Sequence, residues 1–381
     1  MIYLDNNATT KIDQRVYHKQ CEVLNKFYGN PSSLYPIGTS VKELVSTARS
    51  QIASFVNADI NRGDVILFTG CATESNNAVL HSVLQPNVNK KHIIISAVEH
   101  PSIIIPANYF ESIGCNVTRI SVNADGKINQ EQLLAAITDE TVLVSIMLVN
   151  SETGVIHEVE QIANKVKAIR KDILIHTDAV QAAGKIPIDI NTLGVDFLTL
   201  SGHKFHAPKG VGILFIKAGT DFIPYMMGGH QEFNMRAGTE NTASIVAMGE
   251  AVVIAKNKLE SGAVENTRIL RDSMEQQLQD AFPDCLIFGR NAPRTGNTTN
   301  IGFKDITGEK LVLQLAQREI CVSSGTACNS TNAEPSTVLK AMGAPVEYIR
   351  SIRISLSTEN TDTDIKALID ALKEIINKRS V

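Results

Sequence analysis

Lys204 is the residue whose chemistry follows most directly from its surroundings. It ends the run Ser201-Gly202-His203-Lys204, which comes directly after the apolar run Asp196 to Leu200. A lysine amine in a tight turn at the end of a strand can form a Schiff base with a carbonyl group if it is partly desolvated. The sequence therefore predicts covalent carbonyl chemistry at Lys204, with a plain surface lysine as the alternative.

Four other apolar runs also lead into polar residues. In an open parallel sheet, ligands bind beyond the carboxyl ends of the strands, so five such ends predict one convergent pocket. Polar residues also follow strands simply because strand ends are exposed to water. That alternative accounts for one or two such ends, but it accounts less well for five that all bear His, Asp, Asn or Lys. The polar residues at these four ends include Thr73, His100, Asn150 with Ser151, and Asp178 with Gln181.

These residue types match the parts of a pyridoxal 5'-phosphate (PLP) site. An aspartate such as Asp178 can keep a pyridine nitrogen protonated, which makes the ring an electron sink for a carbanion. His100 could stack on a flat ring, and donors near a helix start, around Thr73 and Ser201, suit a phosphate. Asp178 could equally be a helix N-cap, and the two roles are compatible.

The elements that must position these residues are typical of an α/β protein. The apolar runs lack strict alternation, which indicates strands buried on both faces of a mainly parallel sheet, and amphipathic stretches such as Glu158 to Lys171 lie between them. From residue 256 onward the pattern changes to a charged helical stretch and shorter runs, closing with a helix over Asp362 to Asn377. We therefore expect a large domain over 14–255 and a smaller α+β domain over 1–13 and 256–381.

Composition excludes several classes of protein. The chain has 381 residues, 43% of them hydrophobic, and a net charge of −4. This balance gives no global field for holding nucleic acid, so direct nucleic-acid binding is not expected. The start lacks a secretory signal, no apolar stretch could span a bilayer, and six irregularly spaced cysteines indicate reduced thiols in a cytoplasm. No metal-ligand spacing is recognisable around His203 and His206.

Eight motifs in order resemble the NifS/IscS-type cysteine desulfurases, which are fold-type I, class V aminotransferase-like PLP enzymes. A single short motif would be weak support, but eight that run nearly end to end make the assignment specific. The motifs are Tyr3 to Thr10, Tyr28 to Ser33, Ala72 to Asn77, Glu99-His100, Ser201 to Lys204, Arg236 to Asn241, Ser323 to Cys328, and Ile352 to Ser355.

The resemblance implies a role for each site residue. Lys204 would hold PLP and move the substrate α-proton, Asp178 would pair with the ring nitrogen, and His100 would stack on the ring. Arg353 would bind the substrate carboxylate, with Asn150 beside it. The remaining implied cofactor contacts are Ala72, Thr73, Ser201 and His203 at the phosphate, Asn150, Ser151 and Gln181 near the ring hydroxyl, and Thr239 at the phosphate of a neighbouring subunit in a homodimer.

The implied reaction removes sulfur from L-cysteine, leaving L-alanine and a persulfide on Cys328. A thiol with an ordinary pKa near 8.5 is only a few per cent thiolate at neutral pH, so something must deprotonate Cys328, and His100 is a candidate. Cys328 lies in a small polar stretch, about residues 322–334, that suits a mobile loop. The persulfide would pass to a protein acceptor whose identity the sequence leaves open among iron–sulfur assembly, tRNA thiolation and DNA phosphorothioation.

Two departures and two alternatives accompany this prediction. Ser151 stands where the family usually has asparagine, and Cys71 would lie near the phosphate for no evident reason. A selenocysteine lyase or another class V PLP enzyme would share most of the motifs, although an aminotransferase needs no second nucleophile such as Cys328. A sulfur-relay or scaffold protein without catalysis is the remaining alternative, and the intact Lys204 pocket argues against it.

Overall fold

The structure, a computed structural model, describes residues 1–85, 91–304, 306–324 and 335–377. Its central feature is a seven-stranded sheet in the spatial order β2-β8-β7-β6-β5-β3-β4. Only β8 runs antiparallel to its neighbours within this sheet, so the predicted mainly parallel α/β architecture is confirmed. The strands are β2 (Val65–Thr69), β3 (His92–Ser96), β4 (Asn116–Ile120), β5 (Thr141–Ser145), β6 (Leu174–Asp178), β7 (Phe197–Ser201) and β8 (Gly212–Ile216).

Helices cover both faces of this sheet, which explains why its strands are continuously apolar. On β3, Ile94 packs into the core on one face, while Ile93 and Ile95 pack into the core on the other. Helices α2, α6 and α8 supply the first core and α3 and α4 the second. The helices up to residue 260 are α1 (Gln14–Lys26), α2 (Pro36–Val56), α3 (Ala72–Leu84), α4 (Pro101–Ser112), α5 (Gln130–Ala135), α6 (Val159–Ile169), α7 (Ile190–Leu193) and α8 (Thr242–Glu260).

A four-stranded antiparallel sheet, in the order β12-β13-β10-β9, forms a separate layer. Its core combines Leu4 with apolar residues between Met274 and Ile375. The N-terminal β1 (Ile2–Tyr3) pairs in parallel with β11 (Ile320–Cys321) beside it. The other elements are β9 (Leu286–Phe288), β10 (Thr298–Gly302), β12 (Ser323–Ser324), β13 (Ile352–Ser355), α9 (Ala263–Ala281), α10 (Gly308–Ala316), α11 (Thr337–Ala341) and α12 (Asp362–Asn377).

Two of the expected elements differ in extent from the structure. The apolar run from Val142 to Val149 leaves the sheet after Ser145, although Ile146 to Val149 stay buried, so apolarity there reflects burial rather than a strand. The charged stretch after Lys256 is divided between α8 and α9. Gly262 lies between them with a φ of +79°, a left-handed conformation that glycine adopts without steric cost.

An ion pair holds a strained segment close to the central sheet. Glu232, Phe233 and Asn234 all have positive φ, at 45°, 61° and 65°, which is uncommon for residues with a side chain. The buried Glu232 carboxylate accepts hydrogen bonds from Arg49 at 2.6 and 2.9 Å and from the Phe68 amide at 2.8 Å. This contact fixes the start of the segment that leads to residue 239.

Among the described helices, none combines the length and apolarity needed to cross a membrane.

Candidate active site

The carboxyl ends of five strands meet at one edge of the central sheet, as predicted. β3, β5, β6 and β7 run parallel, and β2 shares their direction because both β2 and β7 are antiparallel to β8. Thr69, Ser96, Ser145, Asp178 and Ser201 therefore all end their strands on the same side. The polar residues that follow these ends are brought together there.

A cavity of about 290 Å³ lies at this edge. It contains most of the residues that the sequence nominates, and Asn7 and Ala8 of the N-terminal segment line it as well. The nominated residues that line the cavity are Ala72, Thr73, His100, Ser151, Asp178, Gln181, Ser201, His203, Lys204 and Arg353.

The Lys204 amine reaches the cavity from the turn after β7, where Gly202–Lys204 form one turn of 3-10 helix. It donates to the carbonyl oxygens of Asn7 at 2.6 Å and Ala8 at 2.8 Å. The N-terminal segment thus supplies the acceptors that orient the amine.

Asp178 ends β6 with its carboxylate buried in the cavity wall. Its Oδ1 accepts from the Val180 amide at 3.0 Å and its Oδ2 accepts from the Asn76 side-chain amide at 2.8 Å. The first bond is a turn contact of the kind expected for a capping aspartate. A carboxylate has about four lone-pair positions, so these two contacts leave capacity for a protonated ring nitrogen.

The start of α3 offers unoccupied backbone donors to an anion. Among the described residues, no side chain caps this helix, whose first residue is Ala72. The residue before α3, Cys71, packs closely against Gly212 of β8. A Cβ added at Gly212 would lie 2.8 Å from the Cys71 carbonyl carbon, so glycine at this position allows the helix start to approach the sheet. Thr73, Ser201 and His203 add side-chain donors beside the helix start, so this end of the cavity suits a phosphate group.

The whole donor set fits PLP. One end of the cavity offers backbone and hydroxyl donors for a phosphate, the wall carries the Asp178 carboxylate, and the Lys204 amine lies in the same space. Burial first, and then the charges of Lys204 and Lys209, lower the pKa of His203 to about 4. His203 is therefore neutral at pH 7 and acts as a hydrogen-bonding group rather than as a cation.

Arg353 lies on β13 and is almost fully buried. Its guanidinium donates to Asp5 Oδ1 at 2.8 Å and to the Ser151 carbonyl oxygen at 3.2 Å. Its buried Nε has no hydrogen-bond partner among the described residues. An anion entering the cavity would complete this donor set.

Two nominated residues that the structure describes, Asn150 and Thr239, do not line the cavity. Asn150 was expected near the cofactor and the substrate. Its Oδ1 instead accepts from the Glu152 and Thr153 amides, each at 3.0 Å, and its side-chain amide donates to the Val98 carbonyl oxygen. Asn150 shapes the turn that places Ser151 in the cavity. Thr239 is exposed and lies outside the cavity of its own chain, and Cys328 lies outside the described residues.

Asn7 and Lys185 form part of the site, although no sequence pattern assigned either of them a role. The buried Lys185 amine donates to Gln181 Oε1 at 2.6 Å and to Asn7 Oδ1 at 3.1 Å. Burial, followed by the charges of Lys204 and Arg353, lowers the pKa of Lys185 well below its usual value. The spacing of Lys185 four residues after Gln181 was the one available signal. Cys71, which was expected near the phosphate, does line the cavity.

Glu99 is a fully buried carboxyl group behind the cavity. Its Oε1 accepts from Ser96 Oγ at 2.6 Å and from the Met147 amide at 2.8 Å. Burial is the main cause that raises the pKa of Glu99 to about 8, and the charge of Asp178 raises it further. Glu99 is therefore protonated and neutral at pH 7.

Comparison with known proteins identifies the class of this site. The sequence pattern of the family described as aminotransferase class-V matches residues 2–368. A cysteine desulfurase of Trichormus azollae is 44% identical over 379 residues, which are 99% of this chain and 93% of that protein. The solved structure of a NifS-like protein has a TM-score of 0.90 at 34% identity and covers 99% of both chains. The structure of SspA in complex with cysteine has a TM-score of 0.81 at 29% identity, over 95% of this chain and 100% of that one.

This chain therefore belongs to the class-V aminotransferase family. The predicted resemblance to NifS/IscS-type cysteine desulfurases is confirmed by the identity and coverage of these relatives. Enzymes of this family use PLP, so the predicted cofactor is confirmed as well.

The Glu99→Gln variant tests the neutrality of this buried carboxyl group. The native state keeps Glu99 protonated up to about pH 8, whereas the unfolded chain ionises it near pH 4.5. The wild type therefore loses stability as the pH rises through this window, by roughly 1.4 kcal/mol per pH unit. Because glutamine does not titrate, we expect the unfolding free energy of Glu99→Gln relative to wild type to rise by about 2–3 kcal/mol from pH 6 to pH 8.

Urea unfolding at both pH values measures this difference. Glu131→Gln, an exposed substitution on α5, is the control and should track the wild type. A constant difference between Glu99→Gln and wild type would show that Glu99 is ionised in the native protein.

Proposed function

We propose that the chain is a cysteine desulfurase that converts L-cysteine to L-alanine and retains the sulfur as a persulfide on Cys328. In this reaction the substrate carbon–sulfur bond breaks, a sulfur–sulfur bond forms at Cys328, and the proton lost from the Cys328 thiol is balanced by the one gained by the alanine methyl group. Lys204, Asp178, Thr73, Ser201 and His203 would hold PLP. When bound, PLP supplies an electron sink for the α-carbon of the substrate.

The position of the two described flanks of residues 325–334 is the observation that carries this proposal. Before the segment, Ser323 on β12 pairs directly with Arg353 on β13. After it, Ser336 Oγ donates to Glu152 Oε2 at 2.5 Å, and Glu152 follows Ser151 of the cavity wall. Both described flanks thus lie beside residues of the cavity wall, which supports a role for the intervening segment at this site.

Arg353 would select the substrate through its carboxylate. A planar guanidinium can bind a carboxylate with two parallel hydrogen bonds, and here its orientation is held by Asp5. The Lys204 amine, oriented by the Asn7 and Ala8 carbonyl oxygens, is placed to move the α-proton. A relative solved with cysteine bound, SspA, supports cysteine as the substrate.

We also propose a two-domain homodimer in a cytoplasm. The division into 14–255 and 1–13 with 256–381 is supported by the separate cores around the two sheets. Exposed Thr239 cannot serve the cavity of its own chain, which supports a role at the phosphate of a second copy. The sulfur acceptor is a separate protein that the described surfaces do not identify.

The Cys328→Ala variant tests the nucleophile. Removing the thiol should lower alanine formation from L-cysteine by at least about a hundredfold, because no other group takes the sulfur, while the yellow colour of bound PLP remains. Cys321→Ala, seven residues earlier, is the matched control and should retain activity. Full activity in Cys328→Ala would overturn the mechanism, and keto-acid formation in the wild type would indicate an aminotransferase instead.

The Arg353→Lys variant tests substrate selection. Lysine keeps the charge but loses the paired donors, so we expect the KM for L-cysteine to rise roughly ten- to hundredfold with a smaller change in kcat. Arg119→Lys, which alters an exposed ion pair with Glu111, is the control. An unchanged KM in Arg353→Lys would remove Arg353 from the substrate site.

The dimer is tested by mixing Cys328→Ala with Thr239→Ala. If Thr239 serves the neighbouring subunit, the mixture should be more active than either variant alone, because one site of each mixed dimer keeps both residues. Sedimentation of the wild type should give twice the mass of one chain. A monomer that retains full activity would contradict the shared site.

A further inference from the structure

His100 is held by the start of the helix that follows it. It is the N-cap residue of α4, and its Nδ1 accepts a hydrogen bond from the Ser102 amide at 3.1 Å. The Ser102 hydroxyl lies 2.8 Å from the same nitrogen. A backbone N–H can only donate, so Nδ1 presents its lone pair to the helix start and carries no proton.

Asn76 determines the direction in which the Ser102 hydroxyl donates its hydrogen. The Asn76 side-chain nitrogen lies 2.8 Å from Asp178 Oδ2 and 2.8 Å from Ser102 Oγ. A carboxylate can only accept, so the amide must turn its NH2 group toward Asp178, and its second hydrogen then points to Ser102. Because Ser102 Oγ accepts from Asn76, its own hydrogen is directed to His100 Nδ1.

The chain of contacts therefore runs from Asp178 through Asn76 and Ser102 to His100. All four side chains are buried or nearly so. Burial lowers the pKa of His100, opposed by Asp178 and assisted by Lys204, so the ring is neutral at pH 7. A neutral imidazole with an unprotonated Nδ1 carries its proton on Nε2.

We propose that Asn76 and Ser102 are positioning residues that hold His100 as the Nε2–H tautomer, so that it offers the cavity a hydrogen-bond donor and not a base. This inference rests on the proposed function and deepens it. The donor would serve an anionic sulfur, because a hydrogen bond to a thiolate stabilises the charged form. It replaces the sequence-based expectation that His100 deprotonates Cys328, since Nε2 already carries a proton and Nδ1 is occupied.

The tautomer is measurable in the PLP-loaded wild type by nitrogen-15 NMR with labelled histidine. The His100 signals are assigned by their loss in His100→Gln. We expect a protonated Nε2 and an unprotonated Nδ1 at pH 7 and at pH 8. A proton on Nδ1, or a doubly protonated ring at pH 7, would overturn the proposal.

The Ser102→Ala variant tests the positioning role. Loss of one neutral hydrogen bond should lower the rate of alanine formation about two- to tenfold. It should also shift the Nδ1 resonance of His100, while Ser102→Thr, which keeps the hydroxyl, restores both values toward wild type. Ser112→Ala, at the exposed end of the same helix, is the control and should change neither. A lower rate with an unchanged Nδ1 resonance would mean that Ser102 is merely structural.

The pH profile separates a donor from a base. If His100 were the base, His100→Gln would lose the acidic limb of kcat/KM, whereas a fixed donor lowers the rate and leaves the shape unchanged. A vanished acidic limb would therefore refute the proposal. Failure of the proposed function has a different signature, namely a wild type that releases no alanine from cysteine while the tautomer is still found as stated.

Discussion

The carbonyl oxygen of Asn7 is the acceptor on which the site depends. It accepts hydrogen bonds from Lys204 at 2.6 Å and from Gln181 at 3.0 Å, while the Asn7 amide donates to Ser355 Oγ on β13. One residue of the N-terminal segment thus ties the turn after β7, the segment after β6 and the smaller sheet together. If this residue moved, the amine of Lys204 would lose its orientation, and the two sheets would lose their shared contact at the cavity.

The buried acidic and basic groups around the cavity differ in their hydrogen-bond partners and in their degree of burial. Asp178 accepts hydrogen bonds from Asn76 and the Val180 amide, whereas Glu99 has its pKa raised by burial and is neutral at pH 7. Arg353 is balanced by Asp5. The cavity therefore offers one buried, hydrogen-bonded carboxylate for a ring nitrogen and the buried Arg353 guanidinium for a carboxylate. Burial and hydrogen bonding separate the roles of two acids that the sequence cannot distinguish.

The residues that sequence could predict are those near strand ends. Lys204, Asp178, His100 and Thr73 follow apolar runs, and parallel strands carry them to one edge regardless of side-chain detail. Asn7 and Arg353 are 346 positions apart, and only the folded chain brings both to the Ser151 carbonyl oxygen. The family motifs implied a role for Arg353 without its contacts and implied none for Asn7. Asn150 shows the other limit. An asparagine suits a binding pocket and a turn equally well. In the folded chain the Glu152 and Thr153 amides donate to its side-chain oxygen, so Asn150 stabilises the turn.

The N-terminal segment has a consequence for how the protein is made. Leu4 donates to Cys321 and accepts from Ser355, so this segment finds its partners far along the chain. The central sheet has all its strands once Ile216 has been made, but the Lys204 amine receives its oxygen acceptors only after β11 and β13 anchor Asn7. A chain synthesised only as far as Ile216 would therefore contain every strand of the central sheet but an incomplete pocket.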